Sequence, residues 1–326
     1  MDFRQILRVL KYELPGHKFN GNQWLDENGN FRGGAGGNGG GRAVRVVQPA
    51  IPRVGRAPRP TAGRAAAPAA APSKPAPPLK TTGKAVGLNT SEINKPLGGV
   101  MRMGGAMNKG FQKVEMKDGS VGAIKNFKPF PAQGLTASRQ AQNEILSSKV
   151  GEALGMPIRC CEGVAGNKNQ IVQPWLEGKP AADIAGVNGG NNPSALHSLN
   201  PDNANRLNQL RFFGELIGNG DGVFGGRNAM NPGNVWVQKD GSILGIDHAM
   251  AFDGATVGTR LGRLTGMPNF SLLGNPSRND IMGMANTLSG LRDTFASMGR
   301  ASDYNDMMSR FQMGAVTYGQ SHGMSF

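Results

Sequence analysis

The sequence predicts an α+β domain behind a long basic tether. Three observations predict it. Two Asp-Gly dipeptides, Asp118-Gly119 and Asp240-Gly241, each separate two short runs of strand-forming residues, the pattern of a β-hairpin. Residues 138–154 and about 203–217 repeat apolar side chains at helical spacing. Residues 32–85 hold ten Lys or Arg, much Gly, Pro and Ala, and no Asp or Glu. A chain of 326 residues suits one large or two small domains. We divide it into an N-terminal segment (1–31), a basic linker (32–90) and a folded domain (91–326).

The formal charge is +14, and the ten linker cations leave only about +4 for the rest. The basic balance is therefore a property of the tether and not of a folded face. With little apolar surface, the tether cannot offset its ordering entropy, so disorder is expected. Its cations suit either a plain solubilising tether or non-specific, salt-dependent association with nucleic acid, and the lack of interleaved aromatic residues argues against base reading. Cys160 and Cys161 are adjacent and make no disulfide framework; small, reduced, buried side chains are expected. No run reaches the length of a membrane span, and charges at Asp2, Arg4, Arg8 and Lys11 break the pattern of a signal peptide.

Residues 3–14 place Phe3, Ile6, Leu7, Leu10 and Leu14 on one helical face, predicting a short amphipathic helix. In the folded domain three strands are expected over 98–127. The first ends near Met103, a glycine-rich loop runs through Gly104 and Gly105 to Gly110, and Phe111–Met116 and Val121–Phe127 flank the first Asp-Gly turn. Glycines at 104 and 105 let a backbone present its N–H groups to phosphates. Lys125 lies on the third strand. Within the helix at 138–154, stopped by Gly155 and Pro157, Glu144 is the candidate partner for Lys125. Glu152 would oppose the helix dipole from the far end. Ile171–Trp175 reads as a strand that carries Gln173, followed by a connection at 176–179.

The second hairpin, Asn234–Asp247, carries the most chemistry. With Asp240-Gly241 as a two-residue loop, Lys239 faces Ser242 and Asn234 faces Asp247. An amide oxygen and a carboxylate would stand side by side, two hard ligands of the kind that hold Mg²⁺ on substrate phosphates. Residues 252–278 read as loop, and two C-terminal helices are expected at about 279–298 and 302–313. Their Met282, Met284, Met298, Met307, Met308 and Met313 are read as core packing.

The runs GNGD (218–221), NPGNVWV (231–237) and GIDHAMAF (245–252) resemble segments of the phosphatidylinositol 3/4-kinase-like branch of the protein-kinase-like fold, in its small bacterial or phage type. Ala123-Ile124-Lys125 resembles the Val-Ala-Ile-Lys of kinase-like folds. The resemblance implies a two-lobed domain, with an N-lobe at about 91–178 and a C-lobe at about 179–326, using ATP and Mg²⁺. It implies that Lys125, Gly104, Gly105, Glu144 and Gln173 hold or position ATP, that Asn234 and Asp247 hold the metal, and that Asp221 is catalytic. The sequence departs from the kinase pattern in two respects: the usual Arg-His after the Asp is absent, and the interval to the Asn is long. That pattern sets its Asn about five residues after the Asp, and here thirteen positions separate Asp221 from Asn234. Either the loop carries an insertion or Asp221 is not the catalytic residue. The segment from Gly16 to Trp24 resembles a peptide of phage minor-head-associated proteins, which implies a phage or mobile-element origin and residence in a host cytoplasm or virion. The function expected is phosphoryl transfer to a hydroxyl, most readily of a protein. The alternative is a non-catalytic kinase-like scaffold or virion-associated protein that binds nucleic acid through its tether.

Overall fold

The computed structural model describes residues 17–19, 24–26, 93–99, 108–184, 187, 193–221, 223, 230–252 and 267–324. The amphipathic segment at 3–14, the basic tether and the glycines at 104 and 105 lie outside the described residues. Two compact units divide the chain, Met1–Lys74 and Pro75–Phe326. In the first, β1 (His17–Phe19) and β2 (Trp24–Asp26) pair antiparallel, with His17 opposite Asp26.

The second unit begins with a five-stranded antiparallel sheet in the order β3 (Ile93–Pro96), β4 (Asn108–Met116), β5 (Val121–Phe127), β7 (Asn167–Pro174), β6 (Glu162–Val164). The glycine-rich loop was expected to extend to Gly110, but β4 already starts at Asn108 and pairs with β5 from there. Helix α1 (Ala137–Ala153) is N-capped by Thr136, whose hydroxyl accepts from the Arg139 N–H. It packs against one face of this sheet through Ala137, Ala141, Phe127, Ile171 and Cys161. Opposite pairing of Lys125 with Ile171 and of Ala123 with Gln173 puts all four side chains on one face.

The remainder is mostly helical around a small sheet, β8 (Gly178–Pro180), β9 (Val235–Gln238) and β10 (Ile243–Gly245), in the order β10-β9-β8. Helices α2 (Ser194–His197), α3 (Asn203–Ile217), α4 (Arg278–Ser289), α5 (Arg292–Ser297) and α6 (Ala301–Ser321) complete it. Phe212, Phe270 and Phe311 meet edge to face at ring separations of 5.1 and 5.2 Å and form the centre of its core. The expected single helix at 279–298 is two, parted at Gly290 and Leu291, and the last helix runs past 313 to Ser321. Met307 and Met308 are buried as expected, whereas Met313 is exposed.

The register of the second hairpin corrects the sequence reading. Val237 faces Ile243, and Val235 faces Gly245. The Gln238 N–H donates to the Ser242 carbonyl at 2.9 Å, so the loop has three residues, Lys239 to Gly241. Gly241 at φ +79° supplies the left-handed residue that closes such a loop. Asn234 consequently lies opposite Ile246, whose N–H donates to the Asn234 carbonyl at 2.9 Å, and not opposite Asp247. Asp247 itself leaves the strand direction, at φ +61°.

Candidate active site

Lys125 lies on the central strand of the five-stranded sheet and is only 3% exposed. Its ammonium group donates to Glu144 Oε1 at 2.6 Å and to Asp247 Oδ1 at 3.0 Å, above the Phe127 ring at 4.9 Å. Burial works to lower the lysine pKa. The charges of Asp247 and Glu144 outweigh burial and raise it. Burial likewise works against the Asp247 carboxylate, but Lys125, by charge and hydrogen bond, holds its pKa below the usual range. The ammonium is thus a fixed point charge between two carboxylates contributed by α1 and by the segment after β10.

Helix α1 presents a polar buried face, and Glu144 and Asn143 on it each hold two partners. Glu144 spends its second oxygen on the His248 N–H at 3.0 Å. The neighbouring Asn143 donates to the Ala249 carbonyl at 2.7 Å and accepts from Arg300 Nη2 at 2.7 Å. Arg300 also pairs with Asp303, which takes Arg139 of α1 at 3.1 Å. Two adjacent residues of one helix therefore grip the segment that carries Asp247, and Arg300 and Asp303 hold the helix from the far side. Glu152 is exposed at the end of α1, away from this cluster.

Asp221 follows α3, whose end is closed by Gly218 in the left-handed region. Its backbone carbonyl accepts from the Asn234 side-chain amide. Its carboxylate accepts from Asn231 Nδ2 at 3.3 Å. Burial, followed by the nearby Asp247 charge, raises its pKa to about 6. The thirteen-residue interval therefore does not separate Asp221 from Asn234 in space. His248 Nδ1 pairs with the buried Asn219 amide at 3.2 Å, and its ring stands on edge to Phe213. Burial lowers its pKa, so the imidazole is neutral and serves as a local hydrogen-bonding residue.

Asn234 donates through its nitrogen, which leaves its amide oxygen for a ligand. The Asp247 side chain keeps about a quarter of its surface exposed. One amide oxygen and one carboxylate oxygen fit Mg²⁺, which in phosphoryl-transfer sites takes one or two protein ligands and completes its shell from water and phosphates. Gln173 is buried on the face of the sheet that carries Lys125. Trp175 lies on the outside of the connection after β7, stacked under Lys113 at 4.6 Å and donating to Glu177 at 3.1 Å. Sequence reasoning missed Asn143, Asn231, Arg300 and Asp303, and it missed Arg159, whose guanidinium lies 5.3 Å from the Trp236 ring.

A lysine on the third strand of an antiparallel five-stranded sheet, ion-paired to a helix glutamate above a mainly helical lobe, defines an α+β domain of the two-lobed, protein-kinase-like kind. No protein-family model matches the chain, and no curated protein does. Among solved structures, the Rio2 kinase–ADP/Mg²⁺–phosphoaspartate complex from Chaetomium thermophilum aligns over 68% of this chain and 72% of its own, at 14% identity and a TM-score of 0.37. An aminoglycoside phosphotransferase from Alicyclobacillus acidocaldarius subsp. acidocaldarius aligns over 71% of this chain and 92% of its own, at 10% identity and a TM-score of 0.29. Among the described residues, no helix is long and apolar enough to cross a membrane.

Proposed function

We propose that the chain is a nucleoside-triphosphate-dependent phosphotransferase that moves a γ-phosphoryl group to a hydroxyl acceptor, with a protein hydroxyl as the favoured acceptor. The buried Lys125–Glu144–Asp247 ion cluster carries this reading. A structural lysine has no need of two carboxylates in a cleft, whereas a phosphate-orienting lysine needs one to position it and a second at the metal. Lys125 holds the α/β-phosphates, and Glu144 fixes its direction. Asn234 and Asp247 would hold Mg²⁺, which supplies charge neutralisation on the phosphates when bound. Asp221, at the end of α3, accepts a hydrogen bond from the acceptor hydroxyl and aligns it for in-line attack. In this chemistry positioning and charge stabilisation dominate over proton transfer. Gly104 and Gly105 cover the phosphates in this reading, and Gln173 lies toward the base. ATP is the donor the sequence resemblance implies, and a phosphatidylinositol 3/4-kinase-like ancestry in a phage or mobile element, acting in a host cytoplasm or virion, accords with the same motifs. In this reading the basic tether at 32–90 acts as a separate, salt-sensitive arm for nucleic acid.

The test is incubation of the purified chain with γ-labelled nucleoside triphosphate and Mg²⁺, alone and with a host lysate. Label should pass to a polypeptide with wild-type protein and not with Asp247→Asn, and Asp221→Asn should slow transfer while sparing Mg²⁺-nucleotide binding. Transfer that survives Asp247→Asn unchanged would sink the assignment.

A further inference from the structure

Arg159 follows α1 and has no anionic partner among the described residues. Its backbone N–H donates to the Gly245 carbonyl at 2.9 Å, which fixes its start beside β10. Its side chain then crosses to Trp236, with the guanidinium carbon 5.3 Å from the ring centre. Trp236 faces Leu244, and both occupy the less buried face of the β9–β10 hairpin, while Val235, Val237, Ile243 and Gly245 are buried on the other. Asn234, buried at the end of a 3-10 turn, stands two residues before Trp236. The indole is thus about 7 Å of extended chain from the proposed metal ligand.

Among the described residues, Arg159 Nε and Trp236 Nε1 are buried and have no hydrogen-bond partner. Among those same residues the Arg159 guanidinium forms neither an ion pair nor a side-chain hydrogen bond. Burial pushes the Arg159 pKa down to about 10, partly offset by the Glu144 charge. A donor nitrogen taken from water without a partner is costly, and because Arg159 as a whole is only part-buried, a ligand that brings acceptors can reach the rest of its fork. The guanidinium can only donate, while Trp236 Nε1 is packed against Gly178 and leaves the indole to offer its ring. The complementary ligand is planar, to stack on an indole, and presents acceptors along one edge.

Resting on the phosphotransferase reading above, we propose that Arg159 and Trp236 form a base site selective for a 6-oxopurine, so that GTP is a better donor than ATP. Guanine offers two acceptors, O6 and N7, to a bidentate arginine, whereas adenine sets its N6 amino donor against the same guanidinium. The ATP implied by the sequence names the triphosphate; Arg159 decides the base.

Calorimetric titration of the full chain with Mg²⁺ and GTP, ITP or ATP tests this. GTP and ITP, which share O6 and N7, should bind about ten- to a hundredfold tighter than ATP. Arg159→Gln should bring the GTP:ATP ratio close to one, and Arg159→Lys, which keeps the charge but loses the fork, should fall between. Melting curves of both variants confirm that the ratio is read on folded protein. ATP binding as tight as GTP, or a GTP preference that survives Arg159→Gln, would overturn the base assignment alone. Binding of no triphosphate by folded wild-type protein would overturn it together with the phosphotransferase reading.

Discussion

The two hairpins of the larger unit share one loop sequence, Lys-Asp-Gly-Ser, at 117–120 and at 239–242, and one loop geometry. In each, the aspartate Oδ1 accepts from the serine N–H at 2.9 Å and from its hydroxyl at 2.6 Å. In each the glycine has φ +79° and its N–H returns to the strand at 3.0 Å. Their surroundings differ. The first loop is exposed, and a Cβ added at Gly119 would meet nothing within 4 Å. The second is packed in, so that a Cβ at Gly241 would lie 2.6 Å from the Leu199 carbonyl oxygen, and the Asn203 amide donates to the Gly241 carbonyl at 2.9 Å. Four residues thus decide the turn wherever they stand, and tertiary packing decides what it costs to change them. The feet of the hairpins also differ, since the first ends near Lys125 and the second carries Asn234 and leads to Asp247.

The largest contrast is expected at those feet. Lys125→Met leaves Glu144 as an unpaired buried charge and should cost about 3–5 kcal/mol in chemical denaturation and, on the phosphotransferase reading proposed above, abolish transfer. Asp247→Asn leaves the Lys125–Glu144 pair intact and should cost less than half as much while still abolishing transfer. Equal stability losses would show that the two carboxylates are interchangeable supports. The loops come next. Gly119→Ala should cost about 1 kcal/mol, for left-handed backbone alone. Gly241→Ala should cost about 3 kcal/mol or more, because the clash is with backbone that cannot rotate away. Similar losses at the two sites would mean that the Leu199 contact yields.

Two pH effects sharpen the comparison further. Because the folded pKa of Asp221 is raised to about 6, the native state binds more protons than the unfolded chain between about pH 4 and 6. Stability in Mg²⁺-free buffer should therefore fall as pH rises through that window. Asp221→Asn should remove that slope in denaturant titrations at a series of pH values. The loop aspartates behave oppositely. Hydrogen bonds from Ser120 and Ser242 lower the pKa values of Asp118 and Asp240, so their contribution is present above about pH 4 and fades as pH falls through the folded values. Asp118→Asn and Asp240→Asn should shift acid unfolding by the same small amount, and unequal shifts would show that packing reaches the aspartates as well as the glycines.

Much of this was legible in the sequence where the signal is local. The helix expected over 138–154 is Ala137–Ala153, and the one expected over 203–217 is Asn203–Ile217. Glu144 meets Lys125 as its place in the helix predicts. The hairpin register was not legible, because Asp-Gly serves two-residue and three-residue loops alike. The serine that follows, whose N–H and hydroxyl hold the aspartate, tips the balance to three. The Asn143–Arg300 bond spans 157 positions, and no periodicity carries such a pairing. Arg159 belongs to no motif, and only its want of a partner among the described residues draws notice to it.

The backbone of Asp247 has a consequence for the descent of this chain. At φ +61°, position 247 admits Gly, Asn and Asp at little cost and burdens most other residues. Selection for shape and selection for chemistry therefore overlap at one codon but do not coincide. On the phosphotransferase reading, a descendant that gave up the reaction and kept its form would drift first to asparagine or glycine here. A glutamate, though it restores the charge, would have to bear the backbone strain as well. Sequences in which asparagine replaces Asp247 in an otherwise intact site would thus mark lineages in which the domain outlived its reaction.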